Sequence, residues 1–177
     1  AAIFYLVPLS SSGDDEDAIQ AAPWYYTDLG NKVEAFNGVD AFVAVSNGKV
    51  VSTTTYEDCK DDQPTCAACW AVSSITVGFL VLAFITCCLC AFLGFMRFTV
   101  ESERFKLYSI LANIICMFFA FIAGGASMNI CGEELKDDND KTETQFAAMI
   151  PIAGMINLVV AILNFFTPII AVDGNTA

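Results

Sequence analysis

Residues 67–96, 107–130 and 146–172 contain no Asp, Glu, Lys, Arg or His. Each run is at least as long as the ~20 apolar residues that cover the hydrocarbon core of a bilayer. Within that core every backbone polar group has to be satisfied inside the segment, so such runs fold as helices. Three of them leave too little amphipathic sequence to shield them as the buried helices of a soluble domain. The charges agree with this reading once they are located. The chain is 56% hydrophobic yet carries a formal net charge of −12. Soluble domains seldom combine the two, and they reconcile if the charge is confined to connecting segments. The expected class is an α-helical integral membrane protein.

A further span is indicated by the opening "AAIFYLVPLS". Residues 1–9 are apolar but too short to cross a bilayer. They read as the end of a first transmembrane helix, left by the chain at Pro8 and the run of Ser10, Ser11, Ser12 and Gly13. The rival readings are an apolar N-terminal segment or the remnant of a cleaved signal peptide. Lys and Arg placement sets the orientation. Residues 97–106 carry Arg97, Arg104 and Lys106, whereas residues 13–65 carry three lysines against eleven acids and residues 131–145 two against six. The basic loop is therefore expected in the cytoplasm and the two acidic loops outside, with both termini cytoplasmic. The expected order is the end of the first transmembrane helix at 1–12, a first extracellular loop at 13–66, and a second helix at 67–96. A cytoplasmic loop at 97–106, a third helix at 107–130 and a second extracellular loop at 131–145 follow. A fourth helix at 146–172 leads to a cytoplasmic tail at 173–177.

This topology divides the eight cysteines. Cys59, Cys66, Cys69 and Cys131 fall on the oxidising side, where disulfides persist, and four cysteines allow three connectivities. A Cys59–Cys66 bond is favoured. The residues between them read as a polar turn between two antiparallel arms, and closing so short a loop contributes about 2.5 kcal/mol in the chain-entropy model. Cys69 and Cys131 sit at one membrane face and are candidates for a second bond. A zinc site is the usual rival for clustered cysteines, but it normally draws on four Cys or His ligands in paired spacings, and the chain has no histidine. The intramembrane "TCCLC" admits two readings. Cys87, Cys88 and Cys90 are either S-palmitoylation sites, which are juxtamembrane, or small polarizable packing residues. Cys90 lies seven residues short of Arg97, about 10 Å along a helix, which favours packing.

The first outer loop has strand character. "AFVAVSNGKVVSTTTY" places two β-rich runs around Asn47 and Gly48, the strongest short hairpin signal. A two-residue turn there sets Ser46 opposite Lys49 and Val45 opposite Val50. "APWYYTDLGNKVEAF" supplies a further strand, and "GDDEDA" reads as a solvated acidic connector. A small antiparallel extracellular sheet on a helical bundle is expected. Within the bilayer, polar and small residues should face other helices. Gly154, Asn157, Ala161 and Asn164 share one face of the last helix; Asn113, Cys116, Ala120, Ala123 and Ser127 form a similar stripe on the third. Facing stripes would supply the partners that a buried Asn needs, and Gly124, Gly125 and Ala126 permit close helix contact.

Enzyme chemistry lacks its usual residues. Without histidine there is no Ser–His or Cys–His pair, and no P-loop or dinucleotide fingerprint appears. "DDNDKTE" lacks the glycine and ligand register of an EF-hand. No cofactor or metal is expected, and the charge disfavours nucleic acid. The spans hold no acid or base that would mark a proton relay or a path for charged substrates.

Four spans, a strand-rich first outer loop with two nearby cysteines and a shorter second outer loop resemble the claudin and peripheral myelin protein superfamily. Trp24 matches the early tryptophan that follows the first helix, and Cys59 and Cys66 match the paired cysteines. The Gly-Leu-Trp core that precedes the pair in claudins is replaced by "TTTYEDC", with Tyr56 where an aromatic is expected. The Leu-Trp-Gly of kinetoplastid amastins is also absent, so the chain looks more like a divergent protist member of the euglenoid pellicle-strip type. The resemblance implies a claudin-like four-helix bundle in the plasma membrane. It also implies a structural protein that associates laterally with copies of itself as oligomers, strands or arrays. Membrane lipids and other membrane or cytoskeletal proteins are the further partners it implies. A cation-selective channel, drawing on the acidic outer loops, and a surface adhesion or receptor protein are the alternatives.

Overall fold

The computed structural model describes residue 5 and residues 15–99 and 103–166. The readings that fall on residues 1–4, 6–12 and 167–177 lie outside the described residues.

Three helical stretches are long and apolar enough to cross a membrane: Pro64–Met96, Glu103–Asp138 and Phe146–Phe166. The chain is thus a multi-pass membrane protein, mostly helical, with one small antiparallel sheet. In chain order the elements are α1 (Glu16–Ala21), β1 (Tyr25–Gly30), β2 (Val33–Asn37), β3 (Ala41–Ser46), β4 (Lys49–Thr55) and α2 (Tyr56–Cys59). The long helices α3 (Pro64–Thr99) and α4 (Glu103–Ala126) come next. A π-helical turn (Ser127–Cys131) carries α4 directly into α5 (Gly132–Asp138). The chain closes with β5 (Thr142–Thr144), a 3-10 turn (Phe146–Ala148) and α6 (Met149–Phe166). Helix α4 packs against both α3 and α6.

The sheet order is β4-β3-β2-β1-β5. Asn47 and Gly48 both have positive φ, 52° and 74°, which the turn of a two-residue hairpin requires. Ser46 pairs with Lys49 and Val45 with Val50, the register that a two-residue turn imposes. The stretch expected to supply one further strand makes two, β1 and β2. Gly30, Asn31 and Lys32 between them take φ of 77°, 52° and 62°, and the Gly30 amide donates to Asp28 Oδ1 at 2.8 Å.

Burial alternates along β1 and β3, so the sheet has two distinct faces. Ala41, Val43 and Val45, with Phe36, pack on Ile19 of α1. Tyr25 joins the main core with Trp24, Tyr56 and the cysteines of the long helices, and Phe42 packs against it. The sheet therefore lies over the ends of the helices with α1 on its far side.

Four expectations need correction. "GDDEDA" is not a bare connector. Asp15 caps α1, its carboxylate accepting from the amides of Asp17 and Ala18, and Glu16 and Asp17 sit where the helix dipole favours acids. The arms around the cysteine turn are helical, α2 and the start of α3, because Thr55 caps α2 by accepting from the Asp58 amide and Pro64 suits a first helical position. Cys131 does not end the third helical stretch, which runs to Asp138. Finally, α3 continues to Thr99 and α4 begins at Glu103, so the helices occupy much of the expected 97–106 loop.

Candidate functional site

Two disulfides staple together the helix ends that meet the sheet. Cys59 and Cys66 are joined with Cα atoms 5.6 Å apart, tying the end of α2 to the first turn of α3. Cys69 and Cys131 are joined at 4.5 Å, one turn further along α3 and across 62 residues of sequence. The second bond depends on the π turn. Its extra residue rotates the helix that follows relative to the one before, and both Ser127 and Cys131 in this turn are buried.

Ser127 holds the sheet through a second contact. Its hydroxyl lies 2.8 Å from the Tyr25 hydroxyl, a buried hydrogen bond across 102 residues. Burial pushes the Tyr25 phenol up to about 12, partly offset by the bond to Ser127. Gly132 lies under the same ring, where an added Cβ would come within 3.0 Å of Tyr25 Cε1. Thr27 and Thr142 exchange a hydroxyl bond at 3.0 Å between β1 and β5, and Thr65 of α3 donates to Asp138 of α5. A cavity of about 210 Å³ remains between the sheet and the helix ends, with Asn37, Phe42, Tyr56 and Leu135 among its walls. Tyr56 is fully enclosed, and burial raises its phenol; its hydroxyl donates to the Gly38 carbonyl at 3.4 Å. Trp24 is buried, its carbonyl accepting from the Gln145 amide at 3.0 Å.

A polar hub lies within the helices. Asn157 of α6 donates to the Tyr5 hydroxyl at 2.8 Å and to Cys116 Sγ of α4 at 3.3 Å. The Cys116 thiol in turn donates to the Ala83 carbonyl of α3 at 3.2 Å. Three helices and Tyr5 thus meet at one point, where these polar groups supply each other with partners. Around it Gly154 lets α6 approach α4, where an added Cβ would lie 3.2 Å from Ala120 Cβ. Gly124 is tighter, 2.8 Å from Pro151 Cδ. Ala161 is buried.

The other singled-out residues divide. Asn113 donates back to the Ser109 carbonyl of its own helix at 2.7 Å rather than across the interface. Asn164 reaches Ser109 Oγ at 3.4 Å. Gly125 has no atom of the described residues within 4 Å of an added Cβ, so it makes no close contact within one copy. Cys87 and Cys90 are buried, as packing residues are, whereas Cys88 is exposed.

Searches against protein-family models and against curated proteins return no match for this chain.

Proposed function

We propose that this chain is a structural four-span protein of the plasma membrane, akin to the claudin and peripheral myelin superfamily, that associates laterally with copies of itself. In this reading the sheet and acidic loops are extracellular, both termini are cytoplasmic, and the Tyr5 segment is the first helix of a four-helix bundle. The contacts of Tyr5 with Cys116 and Asn157 support a fourth helix between α4 and α6.

The observation that carries the proposal is the edge strand β4. It ends the sheet on one side, and residues 49–52 of it are exposed, Val51 by 66%. Lys49–Thr55 contains no acid in a chain of net charge −12. Edge strands present unpaired N–H and C=O groups that pair readily with another strand. Natural edges carry charges, prolines or bulges that limit this; here one lysine stands at the turn, Val51 lies at a bulge, and the rest of the strand is Val, Ser and Thr. Beneath the sheet, Ile75, Leu82, Ile85, Leu89 and Phe92 turn outward from α3 as an apolar surface. Acidic loop tips repel neighbours, so contact runs through the sheet edge and the helix faces.

Imaging of native membranes tests this reading. A repetitive lattice or strands of particles is the expected result; dispersed single particles at native density would contradict it.

A further inference from the structure

A polar cleft of about 320 Å³ opens between the sheet and the outer face of α3. Asp40 and Thr55 line it from the sheet, Glu57 from α2, and Trp70, Ser73 and Ser74 from α3. Its depth follows from helix geometry. The hydrocarbon core spans about 20 helical residues, and counting that many back from Arg97 reaches Val77. Trp70 and Ser74 therefore stand one to two turns beyond the core, in the headgroup layer where tryptophan concentrates. Both are exposed, Trp70 by 44%. A serine on the outward face of a span is a poor contact for acyl chains but a good one for headgroups.

The chemistry of the walls selects among headgroups. The Ser73 hydroxyl donates to the Trp70 carbonyl at 3.1 Å and lies beside the Asp40 carboxyl, whose pKa burial raises and Ser73 lowers. The lining carries two carboxylates and several hydroxyls, so acceptors outnumber donors. Lys60 stands at the rim with its ammonium 3.5 Å from Glu57 Oε1 and 4.1 Å from the Trp70 ring centroid. An occupant should therefore bring N–H donors to the acidic floor and an anionic group to the Lys60 rim. Anionic headgroups meet Asp40 and Glu57. A quaternary ammonium has no N–H to give, and the aromatic face it would use already carries Lys60.

We propose that this cleft binds the headgroup of a zwitterionic phospholipid with a primary ammonium, of the phosphatidylethanolamine kind. The ammonium donates to Asp40, Glu57 and Ser74 while the phosphate faces Lys60. The site does not depend on lateral assembly, and a monomer would bind the same lipid.

Native mass spectrometry of the full chain in mild detergent tests it. The probes are phosphatidylethanolamine, its N,N-dimethyl form, phosphatidylcholine and phosphatidylglycerol with identical acyl chains. Hydrogen bonds to charged groups are among the stronger ones, so ethanolamine lipid should be retained roughly tenfold or more over choline lipid, with the dimethyl form between them. Asp40→Asn and Glu57→Gln should each cut that preference several-fold. Glu57 is exposed, so its variant keeps the test valid if the Asp40 variant fails to fold with both disulfides intact. Equal retention of ethanolamine and choline lipids, a preference for the glycerol lipid, or an unchanged preference in E57Q would overturn the assignment.

Discussion

The Tyr25 hydroxyl meets the Ser127 hydroxyl at 2.8 Å inside the protein, joining the second-to-edge strand of the sheet to the π turn of a spanning helix. The Cys69–Cys131 bond one turn away ties that same turn to α3, so the strand sits on a crosslinked pair of helices. In the proposed array, a sheet anchored this way would offer the β4 edge in the same position on every copy.

Tyr25→Phe should destabilise the protein by about 1–3 kcal/mol, the cost of leaving the buried Ser127 hydroxyl without its partner. Thermal unfolding in detergent measures it. Tyr26→Phe, at a partly exposed bond to Glu34, is the comparison and should change little.

Alkaline stability follows from the same phenol. Its folded pKa, about 12, lies above the ordinary tyrosine value of 10.0, so the folded state holds the proton more tightly. The contribution is fully present below pH 10 and is lost as pH rises from 10 to 12. Tyr56, also raised by burial, adds to the same slope. Unfolding midpoints measured from pH 8 to 11.5 should be flat below 10 and fall above it, less steeply in Tyr25→Phe.

Gly124→Ala and Gly125→Ala differ by one residue and should differ sharply in effect. The first places a methyl group 2.8 Å from the rigid ring of Pro151; the second meets nothing within 4 Å. Overpacking of this kind costs about 1–3 kcal/mol, so only Gly124→Ala should lower the unfolding midpoint.

The two disulfides should be unequal. In the chain-entropy model, closing the short Cys59–Cys66 loop contributes about 2.5 kcal/mol and the long Cys69–Cys131 loop about 4.3. Non-reducing peptide mapping should recover both linked pairs. Removing Cys69 and Cys131 together should lower the midpoint more than removing Cys59 and Cys66 together.

Much of this architecture was legible in the sequence, for identifiable reasons. Uncharged runs of 24 or more residues leave few alternatives to spans, and Asn47 with Gly48 sets its hairpin register because few other dipeptides accept two positive φ angles. What was missed depends on distant partners. "KTETQ" has little strand character by itself, and 142–144 extends because the free edge of β1 pairs with it. Lys32 is left-handed without any local signal. The Asn157 stripe was visible, but its partner Tyr5 lies 152 residues away. Gly125 stands open because one residue turns a helix by about 100°, which takes it off the face that Gly124 presents to Pro151.

The central claim is side-by-side contact through the β4 edge, and crosslinking in native membranes tests it most directly. A single cysteine at Val51, in a variant whose free cysteines are replaced, would be treated with a short thiol-reactive crosslinker at increasing ionic strength. Repulsion between acidic loops is screened within about 8 Å at physiological salt, so crosslinked dimers and higher species should appear and rise with salt or divalent cations. Val51→Lys should suppress the higher species when crosslinking is directed to the helix faces instead. A strictly monomeric protein at every salt concentration, or reconstituted protein with robust cation conductance and no crosslinks, would contradict the account.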